Sequence, residues 1–361
     1  MKLSQTVRSG PDQYICQEAA LVYFDEKMKR YTSPVIITGE LSFKAFEKHY
    51  PGHNVFPVLR YNHTASIEDM NRLAKECSGA DCIVGIGGGK VLDTAKGTAD
   101  LLGIEYVTIP TVLGTCAAYT PLSAVYHPDG TFRSVDYYNR SASFCFMDLS
   151  LLVESPKKYF AGGIGDTLAK WYEAEGITNH IQGALPAMVS VGLQTAKVTQ
   201  EILLQDSEEA LKSMEAHEVT PAFQKVAEAV VAIAGTVGGF AGEYGRMAGA
   251  HAVHNGMSLI PETHNYEHGV KVAYGVLVQL AACKRYDEVD RLQSFYKENA
   301  FPHSLKDFGI TEDIEQAMEQ IATFSASDKE TFNLVIPDIT PNDVYQAMQY
   351  LEVLEPSKIS V

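Results

Sequence analysis

Histidines are concentrated in one short stretch of the chain. Four of the 11 histidines, His251, His254, His264 and His268, fall within 18 residues. Two neutral imidazoles and a carboxylate form an open three-ligand site that suits zinc or ferrous iron. Asp166, at the start of a predicted helix, is a candidate carboxylate, although an acid at that position also serves as a helix cap. The density of histidines favours a metal or catalytic centre.

The cysteines predict no thiolate metal site. All six stand singly in the sequence, and no two have the C-x-x-C spacing of a zinc or redox motif. We expect free, mostly buried thiols, so that any metal must be held by histidines and carboxylates.

A run of glycines, residues 87–89, lies between a predicted strand and a predicted helix. Backbone amides at a helix amino terminus, without side chains in the way, can hold a pyrophosphate. The usual dinucleotide fingerprint fails because Lys90 occupies its third glycine position, and the Walker A pattern fails at Val91. The run is therefore either a phosphate loop or a tight strand-to-helix turn.

A second loop, residues 108–116, is rich in hydroxyls and follows the next predicted strand. Doubly wound sheets bind ligands at the carboxyl ends of their strands. Two such loops in order favour a nucleotide site, with ordinary strand-to-helix turns as the alternative.

The elements that must position these residues change along the chain. Apolar runs alternate with amphipathic segments over the first 150 residues, which indicates a mostly parallel sheet. Predicted strands cover residues 35–38, 55–60, 81–86, 105–109 and 142–147, predicted helices cover 67–77 and 91–102, and a hairpin covers 123–126 and 131–135.

Helical patterns dominate after residue 156. Predicted helices cover residues 164–179, 187–204, 221–237 and 270–282. We therefore predict an α/β domain, residues 1–155, followed by an all-α domain, residues 156–361. The cleft between them is the expected active site.

Composition limits the classes of partner. Of 361 residues, 46% are hydrophobic and 20% are charged, as in ordinary globular proteins. The formal net charge of -16 disfavours nucleic acid and anionic membranes as partners. The polar start of the chain and the lack of a long apolar stretch predict a cytoplasmic protein. We expect a small-molecule substrate and a homo-oligomer.

Three motifs resemble those of the iron-containing alcohol dehydrogenase superfamily, and within it the glycerol dehydrogenase group. They are Gly-Ile-Gly-Gly-Gly-Lys-x-Leu-Asp-Thr-Ala-Lys at residues 85–96, Gly-Asp-x-Leu-Ala at 165–169 and His-Ala-Val-His-Asn-Gly at 251–256. The resemblance covers residues 34 to 285. It implies a Rossmann-like domain that binds NAD or NADP, and a helical domain that holds one divalent metal ion.

The resemblance also implies roles for particular residues. Asp166, His251 and His268 would be the metal ligands. Iron-dependent members add a histidine where this chain has Lys170, which implies a zinc-type site with iron as the alternative. The implied cofactor residues are Gly87, Gly88, Gly89 and Lys90 at the pyrophosphate and Asp93, Thr111, Thr115, Thr120, Leu122 and Tyr126 around the nicotinamide half.

Two departures from the glycerol dehydrogenase pattern concern the substrate. Cys116 stands where those enzymes carry an aspartate that binds the polyol, and Arg246 stands where they have glycine. With Lys170, the site loses an anion and gains two cations, which suits a carboxylate substrate. The surrounding residues resemble the hydroxycarboxylate dehydrogenase subgroup, which reduces 2-oxo acids. Alternatively, Arg246 and Lys170 pair with Glu243 and Asp166, and the substrate is glycerol or a related polyol.

The sequence decides neither between NAD and NADP nor among the candidate proton donors. Gly39 stands where enzymes that choose NAD usually place an acid. His254, water and the cofactor ribose are the candidate proton donors. Two weaker interpretations are a cyclase of the 3-dehydroquinate synthase kind, which needs more lysines and arginines, and a non-catalytic binding protein.

Overall fold

The computed structural model describes residues 6–354, and these residues form two compact units. The α/β unit comprises Arg8–Phe160 and Glu209–Gly239, and the helical unit comprises Ala161–Glu208 and the chain from Phe240 onward. The predicted domain division has a single boundary near residue 155. It does not include the return of residues 209–239 to the α/β unit. That segment is held by apolar contacts such as Phe160 against Phe223, whose ring centroids lie 5.4 Å apart.

The α/β unit is built on a six-stranded sheet in which every paired strand is parallel. In spatial order its strands are β1 (Gln13–Gln17), β8 (Phe144–Asp148), β5 (Glu105–Pro110), β4 (Cys82–Gly87), β2 (Pro34–Thr38) and β3 (Val58–Arg60). An antiparallel hairpin, β6 (Leu122–Tyr126) and β7 (Phe132–Tyr137), stands apart from it. The predicted parallel sheet and hairpin are confirmed.

The helices of the α/β unit follow its strands. They are α1 (Phe24–Met28), α2 (Glu40–His49), α3 (Ile67–Glu76), α4 (Gly89–Leu102), α5 (Leu149–Leu152), α8 (Pro221–Glu228) and most of α9 (Ala234–Ala241). A π-helical turn, Ala229–Ile233, separates the last two. The stretch Pro221–Gly245 is apolar and long enough to cross a membrane by composition, but 67% of its most apolar window is buried inside the protein.

The remaining helices form most of the helical unit. They are α6 (Lys157–Thr178), α7 (Ala187–Ala216), α10 (Gly249–Met257), α11 (His268–Ala282), α12 (Tyr286–Glu298), α13 (Ile314–Ser325) and α14 (Pro341–Val353). The predicted helices at 164–179, 187–204 and 270–282 are present, and all three are longer than predicted. The predicted strand at 55–60 shortens to Val58–Arg60, because Val55 lies 78% exposed and outside the sheet.

Strand order explains why two loops meet. The chain moves outward from β2 to β3 and then returns to the other side of β2 as β4, so the direction of winding reverses between β2 and β4. Ligands of doubly wound sheets bind at such a reversal. Gly39, after β2, and the glycine run, after β4, therefore flank the expected cofactor crevice.

Candidate active site

The glycine run forms a side-chain-free turn at the amino terminus of α4. Gly88 is the N-cap residue and has an extended backbone, with φ -80° and ψ -177°. A Cβ atom on Gly88 would lie 3.0 Å from Val112 Cγ2, and one on Gly89 would lie 3.3 Å from Thr115 Oγ1. The turn therefore leaves backbone amides accessible at a helix terminus, which is the geometry that pyrophosphate needs.

The second hydroxyl-rich loop lies directly beside this turn. The Thr111 amide donates to the Gly87 carbonyl at 3.1 Å, and the Thr115 hydroxyl accepts from the Ala117 amide at 3.3 Å. The Lys90 ammonium lies 5.4 Å from the centre of the Tyr126 ring. The structure thus brings together the glycines, Lys90, Thr111, Thr115 and Tyr126.

Asp93 lies beneath this surface rather than on it. Its carboxylate contacts the Lys96 ammonium at 2.8 Å and accepts from the Ala124 amide at 3.2 Å. Lys96 is fully buried and also donates to the carbonyls of Ala117, Thr120 and Leu122. The Asp93–Lys96 pair therefore holds in place the loop that carries two further predicted cofactor residues, Thr120 and Leu122.

We expect Gly88→Val to abolish cofactor binding while the fold is retained. The valine side chain would fill the space in front of the α4 amides, and extended backbone at this position accepts a β-branched residue. The new Cβ would lie 3.0 Å from Val112 Cγ2, the end of a side chain that can shift by a few tenths of an ångström. Fluorescence titration with NADH and NADPH measures the loss, and thermal unfolding checks the fold. Nucleotide affinity equal to that of the wild type would place the pyrophosphate elsewhere.

The helical unit brings three predicted ligands together. Asp166 on α6, His251 on α10 and His268 at the start of α11 offer ligand atoms that all lie within 4.8 Å of one another. Asp166 Oδ1 lies 3.2 Å from His251 Nε2 and 3.4 Å from His268 Nε2. Ligand atoms about 2.1 Å from a tetrahedral ion lie roughly 3.4 Å apart. These residues therefore fit one divalent ion in both chemistry and spacing.

Glu173 completes the surroundings of His251. It is fully buried on α6, and its Oε2 lies 2.8 Å from His251 Nδ1. Sequence reasoning missed this residue. The available signal was its place seven residues after Asp166, which is two helical turns along the same face of α6.

His254 and His264 lie differently. His254 Nε2 is 3.0 Å from His268 Nδ1, and its Nδ1 donates to Asn255 Oδ1 at 3.0 Å. His264 is exposed and its Nε2 is bonded to the Ser258 carbonyl at 3.0 Å. Of the four histidines, His251 and His268 therefore belong to the ligand cluster. His254 lies behind His268, and His264 lies outside the cluster.

The electrostatics of the cluster depend on burial and neighbouring charges. Burial opposes ionisation of Asp166, but the Lys170 charge and hydrogen bonds from His251 and His268 hold the pKa of the carboxyl well below its usual value. Burial also lowers the pKa of His251, but the Glu173 charge and hydrogen bonds to Asp166 and Glu173 outweigh it and raise the pKa to about 9.

His254 behaves in the opposite way. Burial, together with the charges of His268 and His251, lowers its pKa well below the usual value. The ring is therefore neutral at physiological pH. Because Asn255 Oδ1 can only accept, Nδ1 carries the single proton and Nε2 accepts from His268.

Direct backbone contact between α6 and α11 sets the positions of Asp166 and His268. A Cβ atom on Gly269 would lie 1.7 Å from the Gly162 carbonyl oxygen and 2.8 Å from the Asp166 amide nitrogen. Only glycine permits this approach, because a main-chain atom cannot move aside as a side chain can.

Gly269→Ala should therefore separate the two helices. Overpacking of this kind costs about 1–3 kcal/mol of stability or more, and it displaces His268 from Asp166. Thermal unfolding and metal content measure the two effects. Gly114→Ala is the control, since its Cβ would find its nearest neighbour at 3.8 Å. Equal unfolding temperatures for the two variants would contradict the close-packing argument.

Comparisons with known proteins agree with this architecture. Residues 11–149 match the family model described as iron-containing alcohol dehydrogenase. Hydroxycarboxylate dehydrogenase A of Escherichia coli strain K12 is 33% identical over 354 residues, covering 95% of this chain and 96% of that protein. The chain belongs to the iron-containing alcohol dehydrogenase family.

Glycerol dehydrogenases, like the hydroxycarboxylate enzyme, are relatives of this dehydrogenase. A glycerol dehydrogenase from Thermotoga maritima is 31% identical, covering 94% of each chain. The crystal structure of a probable glycerol dehydrogenase from Sinorhizobium meliloti 1021 shares the fold, with a TM-score of 0.84 at 24% identity over 97% of this chain and 98% of that one. The protein is thus an alcohol or hydroxycarboxylate dehydrogenase, and its family supports NAD(P) and a divalent metal as cofactors.

The residues that depart from the glycerol dehydrogenase pattern have defined places in this dehydrogenase. Cys116 is partly buried and begins the short 3-10 helix Cys116–Ala118. Lys170 is buried on α6, one turn after Asp166. Arg246 is half-buried and directly follows the 3-10 helix Gly242–Gly245, ahead of α10. The influence of Lys170 on the Asp166 pKa favours the pairing of these two residues.

Proposed function

We propose that this dehydrogenase reduces a small 2-oxo acid to the 2-hydroxy acid in a reversible, metal-dependent reaction with NADH or NADPH. The observation that carries the proposal is the positive charge of Lys170, which acts on Asp166. Arg246, three residues before the start of α10, adds a second cation to the helical unit. Cys116, in the other unit, takes the place of a polyol-binding aspartate. A 2-oxo acid supplies the anion that such a site favours. The similarity to hydroxycarboxylate dehydrogenase A supports the same choice.

A polyol dehydrogenase is the second candidate. Glycerol dehydrogenases are as similar to this chain as the hydroxycarboxylate enzyme is, at 31–34% identity. Pairing of Lys170 with Asp166 would also leave less positive charge for a substrate carboxylate. The two candidates share every ligand and differ in the group that binds the distal end of the substrate.

The residues of the chain have separate tasks in the proposed reaction. Asp166, His251 and His268 would hold the ion, which we propose to be zinc, and the glycine turn would hold the cofactor pyrophosphate. When bound, the ion supplies Lewis-acid polarisation of the carbonyl and the dihydronicotinamide supplies the hydride. Arg246 would orient the substrate carboxylate.

The proton for the product hydroxyl comes from elsewhere than His254. Both ring nitrogens of His254 are already engaged, by His268 and Asn255. We therefore give His254 the task of orienting His268, and we assign proton delivery to water or the cofactor ribose hydroxyl.

A substrate panel tests this function. Oxidation of NADH and NADPH should be measured against 2-oxo acids, neutral aldehydes and dihydroxyacetone, before and after treatment with a chelator. We expect the highest kcat/KM with a 2-oxo acid and loss of turnover with the chelator. Preference for dihydroxyacetone would establish the polyol function instead.

The end of β2 bears on cofactor choice. Gly39 carries no acid to repel a ribose 2'-phosphate, and Arg60 at the end of β3 donates to the Gly39 carbonyl at 3.0 Å. An arginine at this edge suits a 2'-phosphate, whereas an acid would select the free 2'-hydroxyl. We therefore propose that NADPH is accepted.

Gly39→Asp should shift the preference towards NADH. The new carboxylate would accept from the ribose hydroxyls and repel the 2'-phosphate. A Cβ at this position would lie 3.2 Å from Ser42 Oγ and 3.3 Å from a Tyr61 ring carbon, so small side-chain shifts accommodate it. The ratio of kcat/KM for the two cofactors is the measurement, with Glu40→Gln as the control. Rejection of NADPH by the wild type would contradict the proposal.

The proposal includes a cytoplasmic location, a homo-oligomer and no nucleic-acid or membrane partner. The net charge of -16 supports the exclusion of polyanionic partners.

A further inference from the structure

We propose that Glu173 is a positioning residue that fixes the tautomer of His251 so that Nε2 is free to bind the metal ion. The inference rests on the proposed metal site, and it adds a residue that the family motifs do not identify. Three contacts of one buried side chain carry it.

Glu173 binds both the ring and the backbone of its partner. Its Oε2 lies 2.8 Å from His251 Nδ1, while its Oε1 accepts from the amides of His251 at 3.0 Å and Ala248 at 2.7 Å. The carboxylate is fully buried. It accepts hydrogen bonds from amides at the start of α10, where the N-cap residue Ala248 has no polar side chain to accept them.

The chemistry of these contacts determines where the ring proton lies. An ionised carboxylate only accepts hydrogen bonds, so His251 Nδ1 must donate to Glu173. When a metal ion binds, His251 must be neutral, and its lone pair is then on Nε2, the atom that lies 3.2 Å from Asp166 Oδ1. A carboxylate bonded to the far nitrogen also makes the imidazole a better metal ligand.

The second imidazole is held by a different device. His268 Nδ1 lies 3.0 Å from His254 Nε2, His254 Nδ1 donates to Asn255 Oδ1, and the Asn255 amide donates to Glu330 Oε2 at 3.0 Å. His268 is therefore bonded to an imidazole, whereas His251 is bonded to a carboxylate. Loss of the charge at Glu173 should consequently affect the site through His251.

The alternative is that Glu173 acts only as a cap of α10. The variant Glu173→Gln distinguishes this role from control of the His251 tautomer. The glutamine carbonyl can still accept from Ala248 and His251 amides, so the cap is retained. Its NH2 group, however, faces His251 Nδ1 and favours the tautomer with the proton on Nε2. Gln279→Met is the matched control, because Gln279 Oε1 accepts from the Ala250 amide at 3.1 Å in the same helix start and bonds neither histidine.

The experiment measures zinc affinity of the full-length protein by competition with a chromophoric chelator, together with thermal unfolding of the metal-free form. We expect Glu173→Gln to weaken zinc binding by about 10- to 100-fold, while the metal-free protein remains folded because the amides at the start of α10 keep their acceptor. Gln279→Met should lower the unfolding temperature and leave zinc affinity unchanged. Nitrogen-15 spectra of labelled histidine should show the His251 proton on Nδ1 in the zinc-loaded wild type.

Two outcomes would overturn the inference alone. Wild-type zinc affinity in Glu173→Gln would reduce Glu173 to a helix cap, and an equal loss of affinity in Gln279→Met would show that helix position, rather than the tautomer, governs binding. A wild-type protein that binds no zinc in the same competition would instead remove the proposed metal site, and the inference with it.

Discussion

Alanine at Asp166, His251 or His268 should remove the divalent ion from the purified protein and abolish turnover. Three ligand atoms within 4.8 Å of one another are the minimum for an open site, so the loss of any one leaves two. Elemental analysis of each variant, prepared without added chelator, measures the loss.

His264→Ala provides the control for this experiment. His264 belongs to the same histidine-rich stretch, but it is exposed and bonded to the Ser258 carbonyl. Its replacement should leave the metal content intact. Full metal content in His268→Ala, with loss in His264→Ala, would transfer the third ligand position to His264.

The sequence was sufficient to predict the three candidate ligands that the structure brings together, but it did not predict Glu173, which bonds one of them. Asp166 and the histidines stand out because few residue types bind zinc or iron and because they cluster along the chain. Glu173 does not stand out, since an acid on a helix is usually solvated. Its partner, His251, lies 78 residues away in sequence, and only the packing of α6 against α10 brings the two together.

A similar limit applies to Asp93. Its place in the glycine motif implies contact with the cofactor, yet the structure gives its carboxylate to Lys96 and the Ala124 amide. A motif shows which residues belong to a site without separating those that touch the ligand from those that hold the loop. Asp93 pairs with Lys96 because this lysine is buried, and a lysine in an amphipathic sequence pattern gives no sign of burial.

The order of the strands could likewise be predicted only in part from the sequence. Buried parallel strands such as β4 are continuous apolar runs and are easy to recognise. β1, by contrast, has exposed residues at both ends and pairs with β8 more than a hundred residues later. No local pattern marks such an edge strand, and none marks the return of residues 209–239 to the α/β unit.

Arg246→Ala should raise the apparent KM for 2-oxo acids by roughly 10- to 150-fold, because a hydrogen bond to a charged group contributes about 1.5–3 kcal/mol. Neutral aldehydes and dihydroxyacetone lack the carboxylate, so their KM should change little. Steady-state kinetics with matched charged and neutral substrates separates the two cases. Metal content and unfolding temperature, measured alongside, show whether the site and fold remain intact.

Cys116→Asp is the complementary change, since it restores an anion where glycerol dehydrogenases carry one. The new carboxylate should repel 2-oxo acids and accept hydrogen bonds from polyol hydroxyls. Activity with glycerol should therefore rise relative to activity with 2-hydroxy acids. If Arg246→Ala instead weakens every substrate equally, Arg246 acts as a structural partner of Glu243. In that event the site has one cation fewer for a carboxylate, and the polyol function becomes the better explanation of the same three ligands.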